Sequence, residues 1–307
     1  MSKIFLTHKV LDKTTQMFMS SGHEIISSPE GGDAVLCLLT DKIDKNFMNT
    51  VGSQLKIVAN CAVGFDNIDI EAAKEKNIIV TNTPEVLSET VAEHTFALML
   101  ALAHRIVEAD RFVRLGKFKG WRSDLLLGQD MAHKVLGIVG LGRIGILVAQ
   151  QAVKDHQMKV IYYDLKRNGG FEKELGGEYK DNLEKVFIEA DFISIHLPYL
   201  PTTHHLVDRS LLNKMKDNAY LVNTSRGAII NENDLVKILQ EKKIAGAALD
   251  VFEYEPELSP GLVNLDNVIL TPHIASATVE TREKMQRLAV QNILNVLSGK
   301  EALTPIK

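Results

Sequence analysis

Three polar side chains in the second half of the chain each follow a short apolar run that predicts a β-strand. Arg226 lies in NTSRG, Glu255 in LDVFEYEP and His273 in TPHIA. Ligands of open parallel sheets bind at the carboxyl ends of the strands, so we expect these groups to meet in one cleft. Arginine can hold a carboxylate and polarise a carbonyl. Histidine can donate a proton near neutral pH, and a carboxylate beside it favours the charged imidazolium.

A glycine-rich turn precedes these groups in the sequence. Residues 135–145 read VLGIVGLGRIG, an apolar run that leads into Gly140, Gly142 and Gly145 and then into a helical pattern. In this motif the first glycine permits the tight turn, the second lets a pyrophosphate approach the backbone, and the third lets the helix lie close to the sheet. Asp164 ends the next predicted strand, where an acid can accept hydrogen bonds from the adenosine ribose. The pattern predicts a dinucleotide site.

A nicotinamide dinucleotide could supply the hydride that the three polar groups lack. Reduction of a 2-oxo acid needs a cation for the carboxylate, a proton donor for the ketone oxygen, and a group that keeps this donor protonated. We assign these tasks to Arg226, His273 and Glu255, in that order. The substrate would be a small 2-oxo or 2-hydroxy acid.

Predicted strands and helices alternate along the whole chain, which indicates an α/β fold with parallel sheets covered on both faces. We expect two doubly wound domains, a Rossmann NAD-binding domain inserted into a flavodoxin-like substrate domain. The predicted limits are 1–97 plus 275–307 for the substrate domain and 98–274 for the dinucleotide-binding domain. Residues 88–115 are predicted to form one long helix, and the last helix, 279–297, is free to return to the first domain.

The composition excludes several other classes of protein. The 307 residues carry a net charge of −4 with no basic run, so we expect no nucleic-acid partner. No apolar stretch is long enough to span a bilayer, and the N-terminus resembles a strand rather than a signal peptide. Cys37 and Cys61 lie in apolar runs, which favours buried, reduced thiols and a cytoplasmic protein. No cysteine and histidine spacing is typical of a metal site.

The chain resembles the D-isomer-specific 2-hydroxyacid dehydrogenase family over nearly its whole length. The signature blocks of that family occur here in order as ANCAVGFDNID, VLSETVAEHTFALML, GLGRIG, NTSRGAIIN, ALDVFEYEP and TPHIASAT. The resemblance implies that Arg226, Glu255 and His273 are the catalytic residues. It also implies that the backbone of Val63 and Gly64 binds the substrate carboxylate together with Arg226 and His273.

The same resemblance implies a set of cofactor contacts. These are Gly140, Gly142, Arg143, Ile144 and Gly145 at the pyrophosphate, Asp164 at the ribose, His196, Leu197 and Pro198 beside the adenosine, Thr224 and Ser225 along the cofactor, and Asp250, His273 and Ala275 near the nicotinamide. Many relatives have two glycines after the histidine, whereas this chain has Ala275 and Ser276.

The acidic side chain of Asp164 favours NAD over NADP, because a carboxylate there repels a 2′-phosphate. Lys166 and Arg167 follow closely and could offset this repulsion, so NADP use stays possible. Basic residues in a polar turn are most often solvated, which favours NAD.

Within the family, VGFDNID and the segment around Trp121 look most similar to glyoxylate and hydroxypyruvate reductases. Relatives of that subgroup insert a tryptophan into the active site of the neighbouring subunit, and the resemblance together with the apolar run 96–103 predicts a homodimer. Two alternatives stay open: a short D-3-phosphoglycerate dehydrogenase, and a corepressor-like protein that senses NAD(H).

Overall fold

The computed structural model describes residues 1–306, which divide into two compact units. The first unit comprises Met1–Leu87 and the C-terminal segment from Ser276, and the second comprises Ser88–Ala275. In the structure the second unit thus interrupts the first in the sequence, and both have α/β architecture. The sequence prediction placed the domain limits at 1–97 plus 275–307 and at 98–274.

The first unit is a five-stranded parallel sheet in the order β2-β1-β3-β4-β5, which is the flavodoxin-like strand order. Its strands are β1 (Lys3–Leu6), β2 (Glu24–Ile26), β3 (Ala34–Cys37), β4 (Ile57–Asn60) and β5 (Ile79–Thr81). Its helices are α1 (Asp12–Ser20), α2 (Lys45–Val51), α3 (Ile70–Glu75) and α11 (Val279–Leu297).

The central strands of this sheet are buried on both faces, as parallel strands between helical layers must be. Every residue of β3 and β4 is buried, and helix α11 packs against both strands. The last helix therefore returns to the first unit, as the sequence predicted.

The second unit is a seven-stranded parallel sheet in the order β12-β11-β10-β9-β6-β7-β8, which contains the strand order of a Rossmann fold. Its strands are β6 (Val135–Val139), β7 (Lys159–Tyr163), β8 (Glu178–Tyr179), β9 (Phe192–Ile195), β10 (Tyr220–Asn223), β11 (Gly246–Leu249) and β12 (Val268–Leu270). Its helices are α4 (Ser88–Ala103), α5 (Ile106–Arg114), α6 (Arg143–His156), α7 (Gly169–Leu175), α8 (Leu183–Glu189), α9 (Arg209–Leu212) and α10 (Glu232–Gln240). The predicted fold class is confirmed for both units.

The prediction of a single helix over 88–115 was wrong, because the chain breaks between α4 and α5. Arg105 adopts a left-handed conformation with φ 53°, which ends the helical path. The carbonyl of Ala103 accepts a hydrogen bond from the backbone N–H of Gln129 (2.9 Å). A Cβ on Gly128 would lie 2.0 Å from the same carbonyl, so only glycine lets this later segment approach the helix end.

Helix α4 packs within the second unit on several sides, which explains why its sequence is apolar nearly all round. It contacts helix α6 and strands β10, β11 and β12. Phe96, Leu98, Met99 and Leu102 are all buried there. Within residues 1–306, no helix combines the length and the apolar composition that crossing a membrane would require.

Candidate active site

The predicted site residues of the second unit follow the carboxyl ends of its parallel strands, which together form the carboxyl edge of the sheet. Arg226 follows β10, Glu255 follows β11 and His273 follows β12. These three strands are direct neighbours in the sheet, so the segments that leave them are neighbours too.

His273 and Glu255 contact each other directly. The ring Nδ1 of His273 lies 2.9 Å from Oε2 of Glu255, and Oε1 of the same carboxylate accepts the backbone N–H of Phe252 (2.9 Å). Each side chain is one-quarter exposed. Because Nδ1 is engaged by the carboxylate, the other ring nitrogen, Nε2, is the one that is left to exchange a proton with a ligand.

The backbone of His273 is left-handed, with φ 53°. For a residue other than glycine this conformation costs on the order of 1–2 kcal/mol, and it persists only where surrounding contacts enforce it. The contacts come from Asp250, whose backbone carbonyl accepts the N–H of His273 (2.8 Å). The Asp250 carboxylate accepts the backbone N–H groups of Ile274 (2.9 Å) and Ala275 (2.8 Å) and the hydroxyl of Thr271 (2.6 Å).

The Asp250 side chain is fully buried. Burial alone raises the pKa of a carboxyl group, yet the hydrogen bonds from His94, Thr271, Ile274 and Ala275 outweigh burial and lower the pKa of Asp250. The carboxylate is therefore charged at neutral pH and holds the segment on both sides of His273. Ala275, which the sequence placed near the nicotinamide, is itself buried.

Arg226 lies in a short loop that Asn223 closes. The fully buried Asn223 amide donates to the backbone carbonyl of Arg226 (2.9 Å), and its oxygen accepts the backbone N–H (3.0 Å) and hydroxyl (2.7 Å) of Ser225. The Arg226 guanidinium donates to the backbone carbonyl of Ser225 (2.8 Å). Sequence reasoning missed Asn223, although a buried amide at a strand end is a recognisable signal.

The Arg226 loop and the Glu255 loop lie against each other. A Cβ on Gly227 would stand 1.9 Å from the backbone carbon of Phe252, so only glycine permits this approach. Gly227 therefore allows the loop that carries Arg226 to contact the loop that carries Glu255.

The glycine-rich turn fits the dinucleotide that the sequence predicts. Gly140 has φ 94°, and a Cβ there would meet the backbone of His196 at 2.9 Å. A Cβ on Gly145 would stand 2.4 Å from the carbonyl oxygen of Gly140, so this glycine lets α6 pack closely on the turn. Gly142 faces open space, and no side chain caps the N-terminus of α6. Backbone N–H groups at such a helix end suit phosphate oxygens.

Asp164 stands at the carboxyl end of β7, beside the glycine turn. Its Oδ2 accepts the backbone N–H of Leu141 (2.7 Å) inside that turn. Arg167 is paired with Glu172 through contacts of 2.7–3.1 Å, which direct its guanidinium toward that carboxylate. The guanidinium of Arg167 is therefore less available to a 2′-phosphate. Arg143 and Ile144 occupy the first turn of α6.

The other predicted cofactor contacts of the second unit follow β9 and β10. The ring of His196 accepts or donates a hydrogen bond with the Ser194 hydroxyl (2.8 Å), and burial lowers the pKa of His196 to about 3, so the ring is neutral. Pro198 is exposed, two residues further on. The hydroxyl of Thr224 lies 2.8 Å from that of Thr95, and both residues are buried.

Val63 and Gly64 belong to the first unit, in the segment that follows β4. The side-chain amide of Asn60 donates to the carbonyl of Gly64 (2.8 Å), and that of Asn82 donates to the carbonyl of Val63 (2.8 Å). These two asparagines fix both peptide carbonyls of the predicted carboxylate loop, and sequence reasoning did not single them out.

Two buried carboxylates behind the Glu255 loop were also missed. The backbone N–H of Glu232 donates to Glu253 (3.2 Å), and the backbone N–H of Glu253 donates to Glu232 (3.3 Å). Glu232 also accepts the backbone N–H of Ser259 (3.0 Å), and Glu253 contacts Nε2 of His205 (2.7 Å). These bonds fix both ends of the loop on the N-terminus of α10.

Comparisons with known proteins identify the family that this chain resembles. Residues 96–275 match the family model of the D-isomer specific 2-hydroxyacid dehydrogenase NAD binding domain. The chain is similar to a glyoxylate reductase of Thermococcus litoralis, with 49% identity over 271 residues that cover 87% of this chain and 81% of the relative.

Solved structures resemble the chain over nearly its full length. A Thermus thermophilus protein superposes with a TM-score of 0.92 at 37% identity, covering 99% of this chain and 100% of that one. An NADPH-dependent glyoxylate/hydroxypyruvate reductase of Sinorhizobium meliloti, solved with NADP and malonate, gives a TM-score of 0.88 at 29% identity, covering 99% and 96%.

The Glu253 carboxylate should stabilise the fold at neutral pH and cease to do so in acid. Its side chain is 3% exposed. Burial tends to raise its pKa, but hydrogen bonds from Tyr254, His205 and Glu232 lower the pKa below the ordinary 4.5. A lowered pKa means that the stabilisation is present above the unfolded-state pKa and lost as pH falls through the folded-state pKa. Glu253→Gln should lower the free energy of unfolding by about 1–3 kcal/mol at pH 7 and flatten its decline below about pH 4.5.

Urea unfolding of both proteins between pH 3 and pH 8 measures this effect. Glu241→Gln is the matched control, because Glu241 forms an exposed pair with Arg209 and should change stability by less than about 1 kcal/mol. Equal stability of Glu253→Gln and the parent protein at pH 7 would contradict the prediction.

Proposed function

The chain belongs to the D-isomer-specific 2-hydroxyacid dehydrogenase family, and we propose that it reduces a small 2-oxo acid, glyoxylate or hydroxypyruvate, with NADH. It is accordingly an NAD(P)-dependent oxidoreductase. The product is a D-2-hydroxy acid where C2 becomes chiral. The observation that carries the proposal is the 2.9 Å contact between His273 and Glu255 on the edge that also bears the glycine-rich turn.

Each of the three polar groups has one task in this reaction. NADH, held at the glycine-rich turn and Asp164, would supply the hydride for C2 of the substrate. Arg226 binds the carboxylate and polarises the ketone through its fork of donors. His273 gives the proton at Nε2 to the ketone oxygen, and Glu255 holds Nδ1 and stabilises the charged ring before transfer. The backbone of Val63 and Gly64, in the first unit, stays a predicted contact of the carboxylate.

Two observations support the choice of substrate. The Thermococcus litoralis relative is named a glyoxylate reductase, and it shares almost half of its aligned residues with this chain. The neighbour from Sinorhizobium meliloti is named a glyoxylate/hydroxypyruvate reductase. A short phosphoglycerate dehydrogenase and an NAD(H)-sensing protein are the alternatives that an assay must separate from this proposal.

Oxidation of NADH at 340 nm tests the proposal, with glyoxylate, hydroxypyruvate, pyruvate, 2-oxoglutarate and 3-phosphohydroxypyruvate supplied side by side. We expect the highest kcat/KM with the first two substrates, and a loss of kcat of at least about 10²-fold in His273→Ala with NADH binding retained. Preference for 3-phosphohydroxypyruvate would favour the phosphoglycerate dehydrogenase. No turnover of any of these substrates, with NADH still bound, would favour the NAD(H)-sensing protein.

We propose a preference for NADH over NADPH, because the carboxylate of Asp164 repels a 2′-phosphate and Arg167 is already paired with Glu172. Asp164→Ala should raise the ratio of kcat/KM with NADPH to that with NADH by at least about tenfold, since a charge repulsion is removed and ribose hydrogen bonds are lost. Steady-state kinetics with both cofactors measure the ratio. Arg167→Ala serves as the control and should leave it within about twofold; an unchanged ratio in Asp164→Ala would refute the ribose role.

We also propose a homodimer, formed through helix α5 and the segment that follows it. Helix α4 is buried within the second unit, whereas α5 and the chain that follows expose large apolar side chains. These form the α5 patch: Ile106, Val113, Leu115, Phe118, Trp121 and Leu127. Trp121 is 85% exposed. Exposed large apolar side chains concentrated in one segment are typical of a protein interface. A cleft of about 630 Å³ adjoins α5 and could receive part of a second copy.

A charge in the α5 patch should therefore dissociate the dimer. Phe118→Glu places a carboxylate in an interface that excludes water, which should raise the dimer dissociation constant by at least about 10²-fold. Light scattering coupled to size-exclusion chromatography, run over a dilution series, measures the mass. Ile188→Glu is the control, because Ile188 is an exposed apolar residue of α8 outside the patch. A parent chain that is monomeric at all concentrations would overturn the proposal.

We assign the protein to the cytoplasm, because Cys37 and Cys61 are both free and buried, as is usual for thiols in a reducing compartment.

A further inference from the structure

Helix α4 contacts the carboxyl edge through two consecutive residues, His94 and Thr95. Nε2 of His94 lies 3.3 Å from the hydroxyl of Thr271 and 3.5 Å from Oδ1 of Asp250. The hydroxyl of Thr95 lies 2.8 Å from that of Thr224. One helix therefore supports the segment after β12, which carries His273, and the loop after β10, which carries Arg226.

The hydrogen bonds around His94 have a fixed direction. Thr271 donates its hydroxyl proton to Oδ1 of Asp250 (2.6 Å), because a carboxylate can only accept. The Thr271 oxygen can then accept from Nε2–H of His94 at 3.3 Å. Nε2 of His94 therefore acts on the Asp250 carboxylate both through the Thr271 hydroxyl and directly, at 3.5 Å from Oδ1.

The Asp250 carboxylate holds the residues on both sides of the left-handed turn at His273, in addition to the backbone bonds of His273 itself. It accepts backbone N–H groups from Ile274 and Ala275 on one side of His273 and the Thr271 hydroxyl on the other. Its side chain is fully buried, whereas His94 is 20% exposed. A buried carboxylate keeps its charge and its orientation only while its hydrogen-bond partners are in place.

We propose that His94 is a positioning residue for the proton donor: through Thr271 and Asp250 it holds His273 in the left-handed geometry that directs Nδ1 to Glu255. It does not touch the reacting atoms. This role rests on the proposed function, since it matters only if His273 donates the proton.

Loss of His94 should impair the chemical step and spare cofactor binding. We expect His94→Ala to lower kcat about tenfold and leave the Kd for NADH, measured by fluorescence, within about twofold. The primary isotope effect with deuterated NADH should rise, because a misplaced proton donor makes the chemical step slower than product release. His94→Gln should recover most of kcat, since its amide N–H can still donate to Thr271.

A second variant shows whether a loss of activity in His94→Ala comes from the lost hydrogen bonds or only from a less stable fold. Thr271→Val removes the bridging hydroxyl at nearly constant volume and should give the same drop in kcat and the same rise in isotope effect. The double variant should lower kcat no further than either single variant, because the effects of residues that act through one carboxylate are not additive.

His156→Ala is the matched control. His156 stacks on Phe96 of helix α4, with 5.0 Å between the ring centroids, away from the carboxyl edge. It should leave kcat and the isotope effect unchanged even if it lowers the melting temperature.

The outcomes separate this inference from the proposed function. An inactive His273→Ala together with an unimpaired His94→Ala overturns the positioning role and leaves the function intact. An active His273→Ala overturns both. A loss of kcat in His94→Ala that is matched by His156→Ala, or that His94→Gln does not relieve, shows a general packing effect and overturns the inference as well.

Discussion

The carboxylate of Asp250 is the interaction on which the geometry of the carboxyl edge depends. It lies at the end of β11 and receives hydrogen bonds from the segment after β12, so it joins two neighbouring strands beyond the point where their ladder ends. Those bonds, together with the one from His94, more than offset the cost of burial and lower the pKa of Asp250. They are among the contacts that hold the left-handed backbone of His273, together with the bond from its N–H to the backbone carbonyl of Asp250.

Parallel strands place the remaining groups on the same edge. Strands β10, β11 and β12 are consecutive neighbours, so the loops with Arg226, Glu255 and His273 leave the sheet side by side. Strands β6 and β7 lie further along the same sheet, beyond β9, and place the glycine-rich turn and Asp164 on the same carboxyl edge. A cofactor that lies along this edge would reach from the acid that suits its ribose to the histidine that donates the proton.

Packing and chemistry use the same elements in the second unit. Helix α4 buries Phe96 and Met99 in the core, while its neighbours His94 and Thr95 form hydrogen bonds to the segments of the carboxyl edge. The glycine at 227 lets two loops touch, and the pair Glu232 and Glu253 fixes one of those loops on helix α10. The buried polar groups of this edge therefore bond to one another, and such paired networks favour a single arrangement of the loops.

The sequence by itself determined the fold class, the glycine-rich turn and the three polar residues after β10, β11 and β12. Alternating apolar runs, glycine spacing and strand-end residues are local signals, so they can be read without coordinates. Only the tertiary structure decided that residues 88–115 form two helices, since the carbonyl of Ala103, just before the break at Arg105, bonds Gln129 of a later segment. It alone also revealed the partners of Asp250, of Glu253 and of Asn223. Such partners lie far apart in the chain, and a buried polar group is satisfied by whichever donor the fold brings within reach, which no local pattern records.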